Sequence, residues 1–262
     1  ISNGEYMIEK SVNYLLSKIK LIPKFCVVAG SGLSSIESII KDKIKINFKD
    51  VPGFNSTVIK GHGGYFIFGN LEGCYVLFSI GRYHYYEGYS KEQVSMPIRV
   101  FKKIGIKNII LTNSAGCVNR RNSIGQLLII DKFLDCSYMV NSKSPNKVKV
   151  INQIKVNSKI INSVDIKISY GTYAWVLGPT YETIAETDDL FNLGADSVGM
   201  STFPEYQQAN KLNMNILILS YISNYAGGSE LITHQEVLDE TNKHVDEITI
   251  FIKKVIKQDQ KH

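Results

Sequence analysis

The chain has 262 residues, 44% of them hydrophobic, which is enough to bury a full core and suits one α/β domain. Its 30 Lys and Arg against 24 Asp and Glu give a net charge of +6, but the lysines are scattered over 41–49, 143–159 and 253–261 without interleaved aromatics. A nucleic-acid stripe is therefore excluded, while a mild field favouring anionic substrates is not.

No apolar run reaches the roughly 20 residues of a membrane span. Cys26, Cys74, Cys117 and Cys136 show neither CxxC nor metal-ligand spacing, and residues 1–10 carry both charge signs without an apolar signal core. The expectation is a soluble, cytoplasmic protein with no metal, no nucleic acid and no membrane among its partners.

In chain order, residues 6–19 place Ile8, Val12, Leu15, Leu16 and Ile19 on one helical face, and Pro23 follows. Residues 25–29 are a short buried strand running into Gly30, Ser31, Gly32, Leu33, Ser34 and Ser35, with a helix over 36–40. Backbone N–H groups and a hydroxyl in such a turn can hold a phosphate. With Asp50 downstream, the same glycines also fit a dinucleotide-binding turn that lacks its third glycine.

Residues 65–68 and 74–80 read as a hairpin about 70–73, and the second strand exits into GRYHYYEGYS, residues 81–90. Arg82 and His84 alternate there, so in extended backbone they share one side and together suit an oxyanion. Ser90 and Gln93 cap a helix that runs past Pro97 to Ile104. A buried strand over 108–111 then ends in Thr112, Asn113, Ser114, Ala115 and Gly116, a further strand covers 124–130, and 141–169 reads as loop or irregular strand.

The stretch 171–225 has the densest polar chemistry. A strand over 173–177 is closed by Gly178 and Pro179, Thr183 and Glu186 form a capping box for a helix that Gly194 stops, and strands over 197–200 and 216–221 flank a helix over 204–212. Thr233 and Glu236 cap one long final helix, with Val237, Leu238, His244, Val245, Ile248, Ile252 and Ile256 on its buried side. Alternating strands and helices predict an α/β fold with ligands at the strand ends.

Three strand exits carry polar groups: Tyr181 and Glu182, Met200 and Ser201, Ser223 and Asn224. If they converge, a carboxylate, an amide, a hydroxyl and an aromatic ring line one pocket, a set suited to a flat heterocycle. Taken singly, Glu182 is equally readable as a solvated loop charge and Asn224 as a turn residue. Read together with Arg82, His84 and the Gly/Ser turn, these exits describe a phosphate half and a base half, and the lack of a P-loop lysine makes phosphate a reactant.

The motifs VVAGSGLSS, GHGGYFIFGN, GRYHYYEGYS, ILTNSAGCVN, GPTYETIAE, LGADSVGMSTFPE and THQEVL follow in this order. On them the chain resembles the low-molecular-weight, homotrimeric family of purine nucleoside and methylthioadenosine phosphorylases, from residue 25 to the end except over 130–170. The resemblance implies one nucleoside phosphorylase domain over 1–262, α/β, with a central mixed twisted sheet flanked by helices, and a homotrimer.

It also implies phosphate contacts from Ser31, Arg82, His84, Ser201 and the backbone at Ser114. Tyr86 and Met200 would touch the sugar, with His234 at its 5'-hydroxyl. The purine would lie among Tyr181, Val198 and Met200, with Glu182 on its ring N–H edge and Asn224 on the opposite edge. Asn224, Glu182 and His84 would be the catalytic residues, and His62 lies in a glycine loop near the phosphate.

The implied reaction is reversible phosphorolysis of the (deoxy)ribonucleosides of 6-oxopurines, inosine and guanosine, to free base and (deoxy)ribose 1-phosphate. Inorganic phosphate is the co-substrate and no cofactor is needed. Ser223 stands where the family usually has Thr and Tyr181 where Phe is more usual. The stretch 131–170 does not match the segment from which a neighbouring subunit inserts an aromatic residue over the sugar.

Three other readings stay open. A methylthioadenosine phosphorylase would need an acid where Asn224 stands, a catalytically silent purine-binding relative would dispense with Ser31, Arg82 and His84, and a nicotinamide enzyme would rest on Gly30, Gly32 and Asp50 alone.

Overall fold

The protein is described by a computed structural model covering residues 3–30, 33–55, 64–138, 145–228 and 233–259. Its elements are α1 (Asn3–Lys18), β1 (Phe25–Ala29), β2 (Lys41–Asn47), β3 (Tyr65–Leu71), β4 (Cys74–Ile80), α2 (Lys91–Ile104), β5 (Asn108–Cys117), β6 (Leu127–Asp135), β7 (Asn146–Lys149), α3 (Ser158–Ile161), β8 (Ile168–Trp175), α4 (Ile184–Asn192), β9 (Ser197–Gly199), α5 (Phe203–Lys211), β10 (Asn215–Tyr225), α6 (His234–Lys243) and α7 (Val245–Asp259).

Apolar runs without polar alternation require burial on both faces of a sheet. That is what β1, β5 and β10 receive. Val28, Ile109, Leu111 and Ile218 pack into one core with α1, α2 and α5, while Val27, Ile110, Leu217 and Leu219 enter a second core with α7. The two cores sandwich the sheet between helices.

Among the described residues, the strands form one ten-stranded mixed sheet. β5, β10, β6, β8 and β9 pair in a closed ring, and β1, β4, β3 and β2 extend outward from β5. β1 runs parallel to β4 and to β5, and β5 parallel to β10, so these four strands present their C-terminal ends on one side. β9 runs antiparallel to β5, with Val198 opposite Gly116, and its exit turns back along β5 toward Ser114.

The three predicted capping boxes, at Ser90, Thr183 and Thr233, are all formed, each with its hydroxyl accepting from the third residue's N–H and that residue's side chain reaching back. Other expectations are corrected. The predicted helix over 36–40 is a 3-10 turn, Ser34–Ile39. The lysine-rich stretch 41–47, assigned no element from the sequence, is an edge strand, whose outward lysines discourage further pairing. The stretch 141–169, read as loop or irregular strand, holds the strand β7 and the start of β8 but also the short helix α3 among its described residues.

β5 and β10 run on through the polar residues that had been placed beyond them, because a ladder is satisfied by the neighbouring strand whatever the side chains are. The long final helix is broken at His244 into α6 and α7. Leu16, placed on the buried face of α1, is 37% exposed at that face's edge. No helix of the described residues is long and apolar enough to cross a membrane.

β1 approaches β5 closely at its end. Gly30 N–H donates to Thr112 Oγ1 at 2.9 Å, and Thr112 Oγ1 donates to Val28 O at 2.9 Å. A Cβ on Gly30 would lie 2.8 Å from both Asn113 Cα and Thr112 O, backbone atoms that cannot swing aside. Gly30→Ala is expected to destabilise the fold by about 1–3 kcal/mol through this overpacking. Urea denaturation measures it, and an unchanged midpoint would contradict the close approach.

Candidate active site

The strand ends surround one cleft of about 910 Å³, its open mouth included. Of the residues singled out from the sequence, it brings together Arg82, His84, Tyr86, Ser114, Tyr181, Glu182, Val198, Met200, Ser201 and Asn224. Ser31 and His62 lie outside the described residues, and of His234 only its place at the start of α6 is described.

One end of the cleft is cationic and hydroxylic. Arg82 and Glu205 are buried to 6% and 4% exposure, with Arg82 Nε donating to Glu205 Oε1 at 3.1 Å and Nη2 3.0 Å from Oε2. Arg82 Nη1 donates to Thr112 O at 2.5 Å. His84 Nδ1 is 2.7 Å from Glu87 Oε1, and the imidazole stacks on Tyr86 at 4.7 Å, so both the plane and the rotation of the ring are set. Burial raises the Tyr86 phenol well above its ordinary pKa, which keeps it neutral.

Ser201 reaches the same end through an unusual turn. Thr202 has φ 74° and ψ −43°, and Phe203 N–H donates to Ser201 O at 2.8 Å, a γ-turn at the start of α5. Such backbone costs about 1–3 kcal/mol and persists only where the surroundings enforce it. Here Asn113 Nδ2 donates to Thr202 Oγ1 at 3.0 Å, Ser220 Oγ donates to Asn113 Oδ1, and Thr202 Oγ1 is 3.2 Å from Ser201 Oγ. The Ser114 hydroxyl meets Thr241 Oγ1 at 3.0 Å and ties β5 to α6, whose Val237 also lines the cleft.

The other end is built for a flat, polar-edged molecule. The register of β10 against β5 shifts between Ile222 and Asn224, a bulge that brings the successive residues Ser223 and Asn224 into the same cleft. Ser223 Oγ donates to Asn224 Oδ1 at 2.9 Å, which fixes the amide with Nδ2 as its donor side, and Asn224 Nδ2 also donates to Tyr225 O at 3.3 Å. A Cβ on Gly116 would lie 3.2 Å from Ala226 Cβ and 3.3 Å from Val198 Cγ1, so glycine eases the packing beside Val198.

Glu182 stands half-buried at this end, and desolvation raises its carboxyl above the usual carboxylate range, only partly offset by a backbone hydrogen bond. Tyr181 is 44% exposed at the rim. Between the two ends, Met200 and Tyr86 close around Gly178, where a Cβ would fall 2.3 Å from Met200 Sδ. Among the described residues no cluster of His, Cys, Asp and Glu could hold a metal ion.

A cleft lined by a guanidinium, an imidazole, hydroxyls, an amide and a carboxylate invites comparison with known proteins. A family model described as "Phosphorylase superfamily" matches residues 24–257. The chain belongs to the phosphorylase superfamily.

Every described segment that lines the cleft lies inside this match. Within the superfamily the chain is 34% identical to purine nucleoside phosphorylase 1 of Geobacillus stearothermophilus over 95% of this chain and 96% of that one. It is 35% identical to purine nucleoside phosphorylase 1 of Bacillus subtilis, over 90% and 92% of the two chains. The fold superposes on purine nucleoside phosphorylase from Schistosoma mansoni in complex with inosine with a TM-score of 0.86, 29% identity, and coverage of 96% of this chain and 95% of that one.

Sequence reasoning missed two carboxylates. Glu87 follows His84 by three positions, a spacing that one helical turn closes, and that signal was readable. Glu205 is 123 positions from its partner Arg82, and it reads locally as an ordinary acid in the first turn of a helix.

Proposed function

We propose that the chain is a purine nucleoside phosphorylase, working as one catalytic domain, that reversibly converts a 6-oxopurine nucleoside and inorganic phosphate into free base and ribose 1-phosphate, with deoxyribosides also accepted. The observation that carries this reading is that Arg82, His84, Ser114 and Ser201 line one cleft together with Glu182 and Asn224. The kinship with purine nucleoside phosphorylases of two bacteria supports it.

Phosphate sits with Arg82, His84, Ser201 and the backbone of Ser114, and Ser31 is its further ligand. The sugar lies against Tyr86 and Met200, its 5'-hydroxyl toward His234. The purine lies among Tyr181, Val198 and Met200, its ring N–H donating to Glu182 and its oxygen and imidazole edge toward Asn224. As the glycosidic bond breaks, electrons move onto the base and positive charge onto the ribose. Asn224 Nδ2 stabilises the first and phosphate the second, and phosphate then bonds to the sugar from the face opposite the base.

Glu87 holds His84 so that the imidazole is oriented before phosphate arrives. No resident cofactor or metal takes part, since phosphate itself supplies the countercharge. The amide at Asn224, not an acid, matches a 6-oxo group, which sets aside a methylthioadenosine preference. The anion end, with Arg82 and His84 both in the cleft, sets aside a silent purine-binding relative.

The working form is a cytoplasmic homotrimer. Cys26, Cys117 and Cys136 are free and buried, as suits a reducing compartment. On α4, beside the cleft, Ile184 is 62% and Phe191 51% exposed, apolar area that a neighbouring subunit would cover.

Asn224→Ala is expected to lower kcat/KM for inosine by about 3 kcal/mol, on the order of a hundredfold, as removal of a single preorganised donor does. Unchanged turnover would sink the proposed role. For Glu182, burial raises the pKa and the base needs the ionised carboxylate. Hypoxanthine affinity should therefore fall as pH drops through a value above that of an exposed glutamate. Calorimetric titration across pH measures this, and the acid limb should vanish in Glu182→Gln.

A further inference from the structure

We propose that Glu205 is a positioning residue for the phosphate end of the cleft, acting through Arg82; the inference rests on the phosphorylase reading above. A guanidinium has five N–H donors in one plane. Glu205 takes Nε–H at 3.1 Å and stands 3.0 Å from Nη2, while Thr112 O takes an N–H of Nη1 at 2.5 Å. These contacts fix the plane of the fork from two sides. Nη2 is buried and ion-paired with Glu205 Oε2 outside hydrogen-bond alignment, and the side chain that carries it lines the cleft.

The placement of Glu205 adds a second constraint. It lies in the first turn of α5, and the γ-turn that opens this helix delivers Ser201 to the same end of the cleft. Asn113 holds that turn through Thr202, and the residue before Asn113 accepts from Arg82. One rigid unit therefore sets the guanidinium and the Ser201 hydroxyl in mutual register, as recognition of a tetrahedral anion by separate donors requires.

The carboxylate also offsets the charge of Arg82, so the fork works by direction more than by net charge. Opposite outcomes follow for its removal. If direction matters, losing Glu205 weakens phosphate binding; if net charge matters, the bared Arg82 binds phosphate more tightly.

The test is steady-state kinetics with phosphate and inosine varied separately, for the parent enzyme, Glu205→Gln and Glu205→Asp. In Glu205→Gln an amide N–H faces Nη2 and the fork is released. The KM for phosphate is expected to rise on the order of tenfold to a hundredfold, the scale of a small misplacement of a binding group, with the KM for inosine little changed and Glu205→Asp in between. An unchanged or lower KM for phosphate, or equal rises for both substrates, would overturn the proposal.

Thermal shift gives a second readout that needs no turnover. At one phosphate concentration the melting temperature of the parent should rise more than that of Glu205→Gln, while hypoxanthine raises both equally; if Glu205→Gln does not fold, Glu205→Asp is compared in its place. Protection of the variant by phosphate equal to that of the parent would overturn the proposal. A parent enzyme that releases base without phosphate would instead defeat the phosphorylase reading.

Discussion

Side chains on a strand alternate between its faces, so Ser223 and Asn224 would point apart if β10 paired regularly with β5. The register shift between Ile222 and Asn224 cancels that alternation and turns both into one cleft. The rest of the base end depends on it. Ser223 can orient the Asn224 amide only from this shared side, with Gly116 paired opposite Asn224. The bulge follows directly on residues paired to both β5 and β6 and is itself paired to β5, a firm mount that suits a donor needed in place before charge develops on a leaving base.

The anion end obeys a different constraint. Burying Arg82 costs solvation that only well-formed partners repay, and the protein supplies Glu205 and Thr112 O. The pair is weak evidence of stability but strong evidence of placement, because it fastens β4's exit to the start of α5. The strained Thr202 belongs to the same economy of position: its backbone is unfavourable alone, and Asn113 and the helix behind it hold it where Ser201 is required.

What the sequence made legible was local. Capping boxes at Ser90, Thr183 and Thr233 need only a three-residue spacing, and β1, β3 and β4 announced themselves by apolar runs bounded by turn residues. The cleft residues were legible as polar groups at the ends of such runs and as ordered motifs. Where pairing partners decide, the signal failed: β5 and β10 continue through Thr112–Gly116 and Ile222–Asn224 because their neighbours complete the ladder, and β2, not read from the sequence, forms at an edge. The bulge and the Arg82–Glu205 pair have no local trace at all, since one is a property of two strands and the other joins residues 123 positions apart.

The central claim is that one cleft joins a phosphate site to a 6-oxopurine site. It is tested most directly by measuring release of free base from inosine, guanosine, adenosine and methylthioadenosine, each with and without inorganic phosphate. The account requires release from inosine and guanosine that depends on phosphate, with little from the 6-amino nucleosides. Preference for methylthioadenosine, or release that proceeds equally without phosphate, would contradict it.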